Sequence, residues 1–127
     1  MKKIDDLTKI KFKYLKTMRY ETLGDYDKGT IMLYDKMWEM AKLAVGIHEL
    51  VEMVLLHLQG VTDKQITEWD LKLGGSYDPW MYDRDLRYKR AHNYAETIER
   101  KIVETAGMDW KDYNLLLENL EVKWRKK

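Results

Sequence analysis

The hydrophobic pattern of this chain changes its period near residue 36, and that change constrains the fold more than any other feature. Before it, the stretch KIKFKYLK (9–16) alternates between lysine and apolar residues from Lys9 to Tyr14, which is typical of a strand with a charged solvent face. After it, apolar residues recur at steps of three and four as far as Leu55, which is typical of a helix packed on a core. The chain is therefore predicted to combine a sheet with helices.

The first third of the chain is predicted to form a small antiparallel sheet. Turn signals at Gly24-Asp25 and at Asp27-Lys28-Gly29 separate two strand-like runs, 9–16 and 30–34. The lysines indicate that the first run is an edge strand. The apolar side chains of this run, on the side opposite the lysines, are Ile10, Phe12 and Tyr14.

About four helices are predicted to follow the sheet, each with a start or stop signal in the sequence. Their predicted limits are 36 to a stop at Gly60 with Asp35 as N-cap, 62–73 with a Thr62–Gln65 capping box, 85–106, and 109–124. The predicted fold class is α+β. A length of 127 residues indicates a single domain over 1–127.

Composition excludes several classes of function. The chain has no cysteine, so disulfides and thiolate metal sites are excluded. Its 23 basic and 22 acidic side chains nearly balance, which argues against a nucleic-acid partner. No apolar run approaches the length of a membrane span or resembles a leader. We expect a cytoplasmic protein, either a monomer or a homodimer.

The stretch AVGIHELVEMVLLH places two polar residues on the apolar face of the predicted long helix. His48 and Glu52 are four residues apart, so both can reach one metal ion, whereas Glu49 projects about a hundred degrees away. This is the geometry of the H-E-x-x-H zinc helix with its second histidine replaced by glutamate, which is also a zinc ligand. His48 and Glu52 are therefore predicted metal ligands, and Glu49 the general base for a bound water.

A second pair with the same spacing lies in the predicted third helix. His92 and Glu96 are four residues apart, and Glu99 extends that face by another turn. His92 is the first choice for the third zinc ligand, with Asp70 next. Glu96 is predicted either to bind the metal or to orient an imidazole. The alternative is a purely structural network of histidines and carboxylates.

The carboxylates also allow a magnesium site. Two E-x-x-E pairs, Glu49 with Glu52 and Glu96 with Glu99, resemble the four-carboxylate set of helical nucleotide pyrophosphohydrolases. Such a site would leave the histidines beside it without a role.

The order of strands and H-E-x-x-E helix resembles the minimal core of zincin-type metallopeptidases. That resemblance implies a zincin-like metal helix, a peptide substrate along the strand 30–34, and a cover from the aromatic loop 77–82. From Lys9 to Tyr113 the chain also resembles a group of small phage and prophage proteins. The sequence motifs that carry this resemblance are RYETLGD, GTIMLY, HELVE, GVTDKQITEWD, AHNYAETIER and GMDWKDY, in this order.

Two functional hypotheses follow from these features. The first is a zinc-dependent, peptidase-like hydrolase of phage origin, acting in the host cytoplasm, with Glu49 as the base. The second is a non-catalytic phage protein that binds a host protein or a small ligand, in which the His/Glu cluster is structural.

Overall fold

The protein has an α+β fold, as the sequence predicts, with a small N-terminal sheet followed by helices. The computed structural model describes residues 9–73 and 86–125, with the backbone alone for residues 69–73 and 86. Within these residues the elements are β1 (Lys11–Leu15), β2 (Gly24–Asp27), β3 (Thr30–Tyr34), α1 (Glu39–Leu58), α2 (Asp63–Leu73), α3 (Leu86–Thr105) and α4 (Trp110–Glu118). None of the helices in the described part of the chain combines the length and apolar character needed to cross a membrane.

The sheet is mixed rather than wholly antiparallel. Strands β2 and β3 form the expected antiparallel hairpin, and its two-residue turn has positive φ angles at Lys28 (48°) and Gly29 (80°). Strand β1 joins the other side of β3 in parallel, with Lys11 opposite Thr30. The strand order is therefore β1-β3-β2.

This order corrects two expectations from the sequence. Because β3 (Thr30–Tyr34) is the central strand, both of its edges are already paired, and it cannot hold an extended peptide by strand addition. Strand β1 is an edge strand as predicted, but Phe12 and Tyr14 on its apolar side remain 42% and 52% exposed. Helix α1 packs mainly on β3 and β2 and reaches this outer strand with the ammonium group of Lys42, 5.3 Å from the centre of the Tyr14 ring, so it covers β1 only in part.

The first helix begins three residues later than predicted. The backbone N–H of Asp35 donates to the carbonyl oxygen of Leu15, so this residue still belongs to the sheet and is not the N-cap. Trp38 occupies the N-cap position without a side-chain hydrogen bond. At the other end Gly60 has a φ of 81°, which confirms the predicted stop.

The third and second helices follow the sequence signals closely. Helix α3 matches the predicted limits to within one residue at each end. The capping box of α2 is present, because the Gln65 N–H donates to Thr62 Oγ1 while the Thr62 N–H donates to Gln65 Oε1.

The C-terminal helix is shorter than its apolar periodicity predicts. Its N-cap is Asp109, as expected, but it ends at Glu118 instead of continuing to Trp124. The chain beyond it pairs with Met18, whose N–H donates to the carbonyl of Lys123 at 2.9 Å. This backbone pairing replaces the last helical turns.

The core lies between α1, α3 and the sheet. Many of its fully buried side chains come from β3 and from both helices, and examples are Ile31, Leu33, Ala44, Met53 and Val103. Helix α1 approaches β2 so closely that a Cβ at Gly24 would lie 2.8 Å from Val45 and 2.9 Å from Glu49. The same face of α1 carries His48 and Glu52 into this core.

Candidate metal centre

The candidate centre forms where α1 and α3 pack together. His48 and Glu52 are on adjacent turns of α1, on the face that the helix buries, and only 8% and 3% of their surfaces are exposed. Helix α3 brings His92 against them, with its ring 5.0 Å from that of His48. Long-range helix packing thus joins the two polar pairs that the sequence places far apart.

His48, Glu52 and His92 form a group that could hold a metal ion. One ligand atom from each residue lies within 4.8 Å of the other two. Glu52 Oε2 is at the centre, 3.3 Å from His48 Nε2 and 3.1 Å from His92 Nδ1. The sequence predicts these same three residues as the first choices for metal ligands.

A second layer of hydrogen bonds orients these groups. His48 Nδ1 lies 2.8 Å from Glu99 Oε1, and the hydroxyl of Tyr113 donates to Glu99 Oε2 at 2.6 Å. The hydroxyl of Tyr26 donates to Glu52 Oε1 at 2.8 Å. Glu52 and Glu99 therefore each use one oxygen for a tyrosine and the other for histidine.

The charges of the cluster are those of a buried ion pair. Burial alone would lower the pKa of His48, but its hydrogen bonds to Glu52 and Glu99 outweigh burial and raise the pKa to about 11. Burial alone would raise the pKa of Glu52, but the neighbouring His48 and His92 lower it to about 2. At neutral pH the metal-free protein thus holds a His48 imidazolium beside a Glu52 carboxylate, and both ring nitrogens of His48 donate.

Glu49 lies beside the cluster without belonging to its hydrogen-bonded centre. Its Oε2 is 3.8 Å from His48 Nε2, and 12% of its side chain is exposed. The side chain of His92 is 18% exposed. His92 is thus the most exposed member of the three-residue group, so solvent reaches the group on its side.

Two other residues that the sequence predicts as metal ligands, Glu96 and Asp70, are not part of the three-residue group described by the structure. Glu96 is on the solvent side of His92, with its Oε2 3.5 Å from His92 Nε2 and 45% of its side chain exposed. It is therefore outside the three-residue group. The side chain of Asp70 and the aromatic loop 77–82 lie outside the described residues.

The four carboxylates of the magnesium hypothesis have different environments. Glu52 and Glu99 each face an imidazole nitrogen of His48. Glu49 lies 3.8 Å from His48 Nε2, and the side chain of Glu96 is 45% exposed. Histidines thus occupy positions that a magnesium site would give to oxygen ligands or water.

The third histidine belongs to a separate contact. His57 Nδ1 donates to the carbonyl oxygen of Met53, and its Nε2 lies 2.9 Å from Asp63 Oδ1. This contact joins the end of α1 to the start of α2. The two histidines of the H-x-x-x-E pairs are therefore the ones that meet.

Sequence reasoning missed the orienting residues. Glu99 is predicted only as an extension of the His92 face, although its spacing of seven residues from His92 places it on that face two turns away. No sequence signal indicates Tyr26 or Tyr113, because both reach the cluster through tertiary packing.

Comparisons with protein families, curated proteins and solved structures find no match for this chain.

Proposed function

We propose that the protein is a zinc-dependent hydrolase, with zinc held by His48, Glu52 and His92 and with Glu49 as the general base. The observation that carries this proposal is the convergence of one ligand atom from each of the three residues within 4.8 Å. Two imidazoles and one carboxylate are a ligand set of catalytic zinc sites, in which the fourth position is left to water.

Two of the three distances between the ligand atoms are close to those of a zinc site. In a tetrahedral site with bonds of about 2.0–2.1 Å, neighbouring ligand atoms lie about 3.3 Å apart. Glu52 Oε2 is 3.3 Å from His48 Nε2 and 3.1 Å from His92 Nδ1. The contact of His48 Nδ1 with Glu99 also matches the carboxylate partner that metal-binding histidines ordinarily have.

The role that this proposal gives to Glu49 is proton transfer during hydrolysis. Bound zinc would supply a water whose pKa is lowered to about 7. Glu49 Oε2, 3.8 Å from His48 Nε2, would accept the proton of this water as its oxygen bonds to the carbonyl carbon of the substrate. The same carboxyl group would then give the proton to the leaving nitrogen of a peptide.

Metal analysis tests the zinc site. Protein purified without added metal should contain close to one zinc per chain, or should bind zinc with an increase in melting temperature. His92→Asn and Glu52→Gln should lose this binding. His57→Asn is the matched control, since His57 is a buried histidine outside the cluster, and it should bind zinc like the wild type. Absence of zinc binding in the folded wild-type protein would refute the proposal.

The alternative function is that of a non-catalytic phage protein which binds a host protein or a small ligand. It is favoured by the completeness of the metal-free network: as far as the described residues go, no buried nitrogen or oxygen of the cluster lacks a hydrogen-bond partner. Glu49→Gln separates the two functions. It should abolish hydrolysis while zinc binding persists, whereas a binding protein should keep its biological effect in this variant.

A further inference from the structure

The hydroxyl of Tyr113 begins a chain of hydrogen bonds between buried side chains that ends at the candidate metal centre. It donates to Glu99 Oε2 at 2.6 Å, and Glu99 Oε1 lies 2.8 Å from His48 Nδ1. Helix α4 carries Tyr113, helix α3 carries Glu99, and helix α1 carries His48. Three helices thus meet through one line of side chains.

Tyr113 is also the residue that anchors α4. It is fully buried and is the one buried residue of that helix. Its ring stacks on Trp110 at a centroid distance of 5.4 Å and meets Trp38 edge-on at 5.8 Å. Packing of this ring therefore fixes where the hydroxyl lies, so the position of α4 determines the hydrogen bond to Glu99.

The phenol of Tyr113 acts as a donor only. Burial raises its pKa, and the neighbouring Glu99 raises it further. The phenol therefore donates its proton to Glu99 Oε2. The other carboxylate oxygen of Glu99 is left to accept from His48 Nδ1.

We propose that Tyr113 is a positioning residue of the metal centre and that docking of α4 is linked to metal binding. By holding Glu99, it keeps the His48 ring in the orientation that directs Nε2 toward Glu52 and His92. Because linkage is reciprocal, a metal bound at the centre stabilises the docked position of α4. This inference rests on the metal site proposed above, but it concerns what controls that site.

Tyrosine-to-phenylalanine variants provide a matched test. Tyr113→Phe keeps the ring and removes only the hydroxyl. Tyr34→Phe is the control, because Tyr34 is also buried, but its hydroxyl contacts the backbone of Glu121 and Lys123 and not the cluster. Tyr113→Phe loses one buried hydrogen bond and Tyr34→Phe loses two partly buried ones, so both should melt at a lower temperature than the wild type.

Zinc affinity should separate the two variants. Loss of an orienting partner ordinarily weakens metal binding about 10- to 100-fold. Competition with a chromophoric chelator should show this loss in Tyr113→Phe, and a change of less than about threefold in Tyr34→Phe. In a Glu99→Gln background, Tyr113→Phe should weaken zinc binding no further, because the tyrosine acts through Glu99.

Hydrogen exchange tests the linkage to α4. Zinc should slow exchange of the backbone amides at 114–118 in the wild type, and this effect should be lost in Tyr113→Phe. Unchanged zinc affinity in Tyr113→Phe, or exchange in α4 that does not respond to zinc, would overturn the inference while leaving the metal site intact.

A zinc-independent measurement keeps the two proposals distinguishable. The Nδ1–H proton of His48 should give a protected, downfield NMR signal in the metal-free wild type and in Tyr34→Phe, and should exchange faster in Tyr113→Phe. If the wild type binds no zinc, the hydrolase proposal and the linkage both fail. The positioning of His48 by Tyr113 is then judged by this signal, and the same signal in all three proteins would refute it.

Discussion

Replacing Glu52 by glutamine removes the negative charge at the centre of the cluster while nearly preserving its shape. The amide oxygen can still accept from His48 and His92, so these two contacts lose mainly their electrostatic part. The amide nitrogen then faces the Tyr26 hydroxyl in place of the carboxylate oxygen that accepts from it. The pKa of Glu52 falls from 4.5 to about 2 in the folded protein. At about 1.4 kcal/mol per pKa unit, this difference corresponds to a loss of about 3 kcal/mol in the free energy of unfolding at neutral pH.

That magnitude agrees with the range for breaking a buried ion pair, about 3–5 kcal/mol. Urea unfolding at pH 7, in the presence of a chelator, should measure it directly. For a chain of this length the melting temperature should fall by about 10 °C. Glu96→Gln is the matched control, because Glu96 also contacts a histidine of the cluster but is 45% exposed, and it should lose less than about 1 kcal/mol.

Two outcomes would contradict this reasoning. If Glu52→Gln destabilises the metal-free protein no more than Glu96→Gln does, the ion pair with His48 does not support the fold. If Glu52→Gln still gains stability from zinc to the same extent as the wild type, Glu52 is not a ligand. The first result would refute the electrostatic argument, and the second would refute the proposed ligand set.

Two more perturbations test other parts of the centre. The pKa of Glu52 is lowered to about 2, so its contribution to the free energy of unfolding should be lost as the pH falls below 4.5. The pKa of His48 is raised from 6.5 to about 11, so its contribution should be lost as the pH rises above 6.5. Unfolding of the metal-free protein at a series of pH values should show both losses, and Glu52→Gln should flatten the acid limb. Gly24→Ala should destabilise by about 1–3 kcal/mol in urea unfolding, since its methyl group would overlap Val45 and Glu49.

The parts of the fold that were predictable are those with strong local signals. The capping box at Thr62, the N-cap at Asp109 and the left-handed stop at Gly60 depend on neighbouring residues, and all three are present. The end of α4 is different, because the segment that includes Trp124 pairs with Met18 far away in the chain. Periodicity cannot anticipate such a competing partner.

In the candidate centre, too, the features set by neighbouring residues were predictable and those set by long-range packing were not. Helical spacing predicts that His48 and Glu52 share one face, and it predicts the same for His92 and Glu99. It contains no information on how the two helices pack, so His92 could be proposed only because its spacing repeats that of His48. Tyr113 comes from a third helix, and its role depends entirely on where that helix docks.

A carboxylate buried as deeply as Glu52 needs a positive charge beside it. In the metal-free protein the proton on His48 Nε2 supplies that charge, and a metal would bind this same nitrogen. Proton and metal would therefore be alternatives at one position, and a bound zinc would have to displace the proton of an imidazolium whose pKa is raised to about 11. Glu99 offsets part of this cost, because its carboxylate stays hydrogen-bonded to His48 Nδ1 whether Nε2 carries a proton or a metal. The hydrogen bonds that complete the metal-free network are thus compatible with a zinc site, since they keep the ligands in place until the metal arrives.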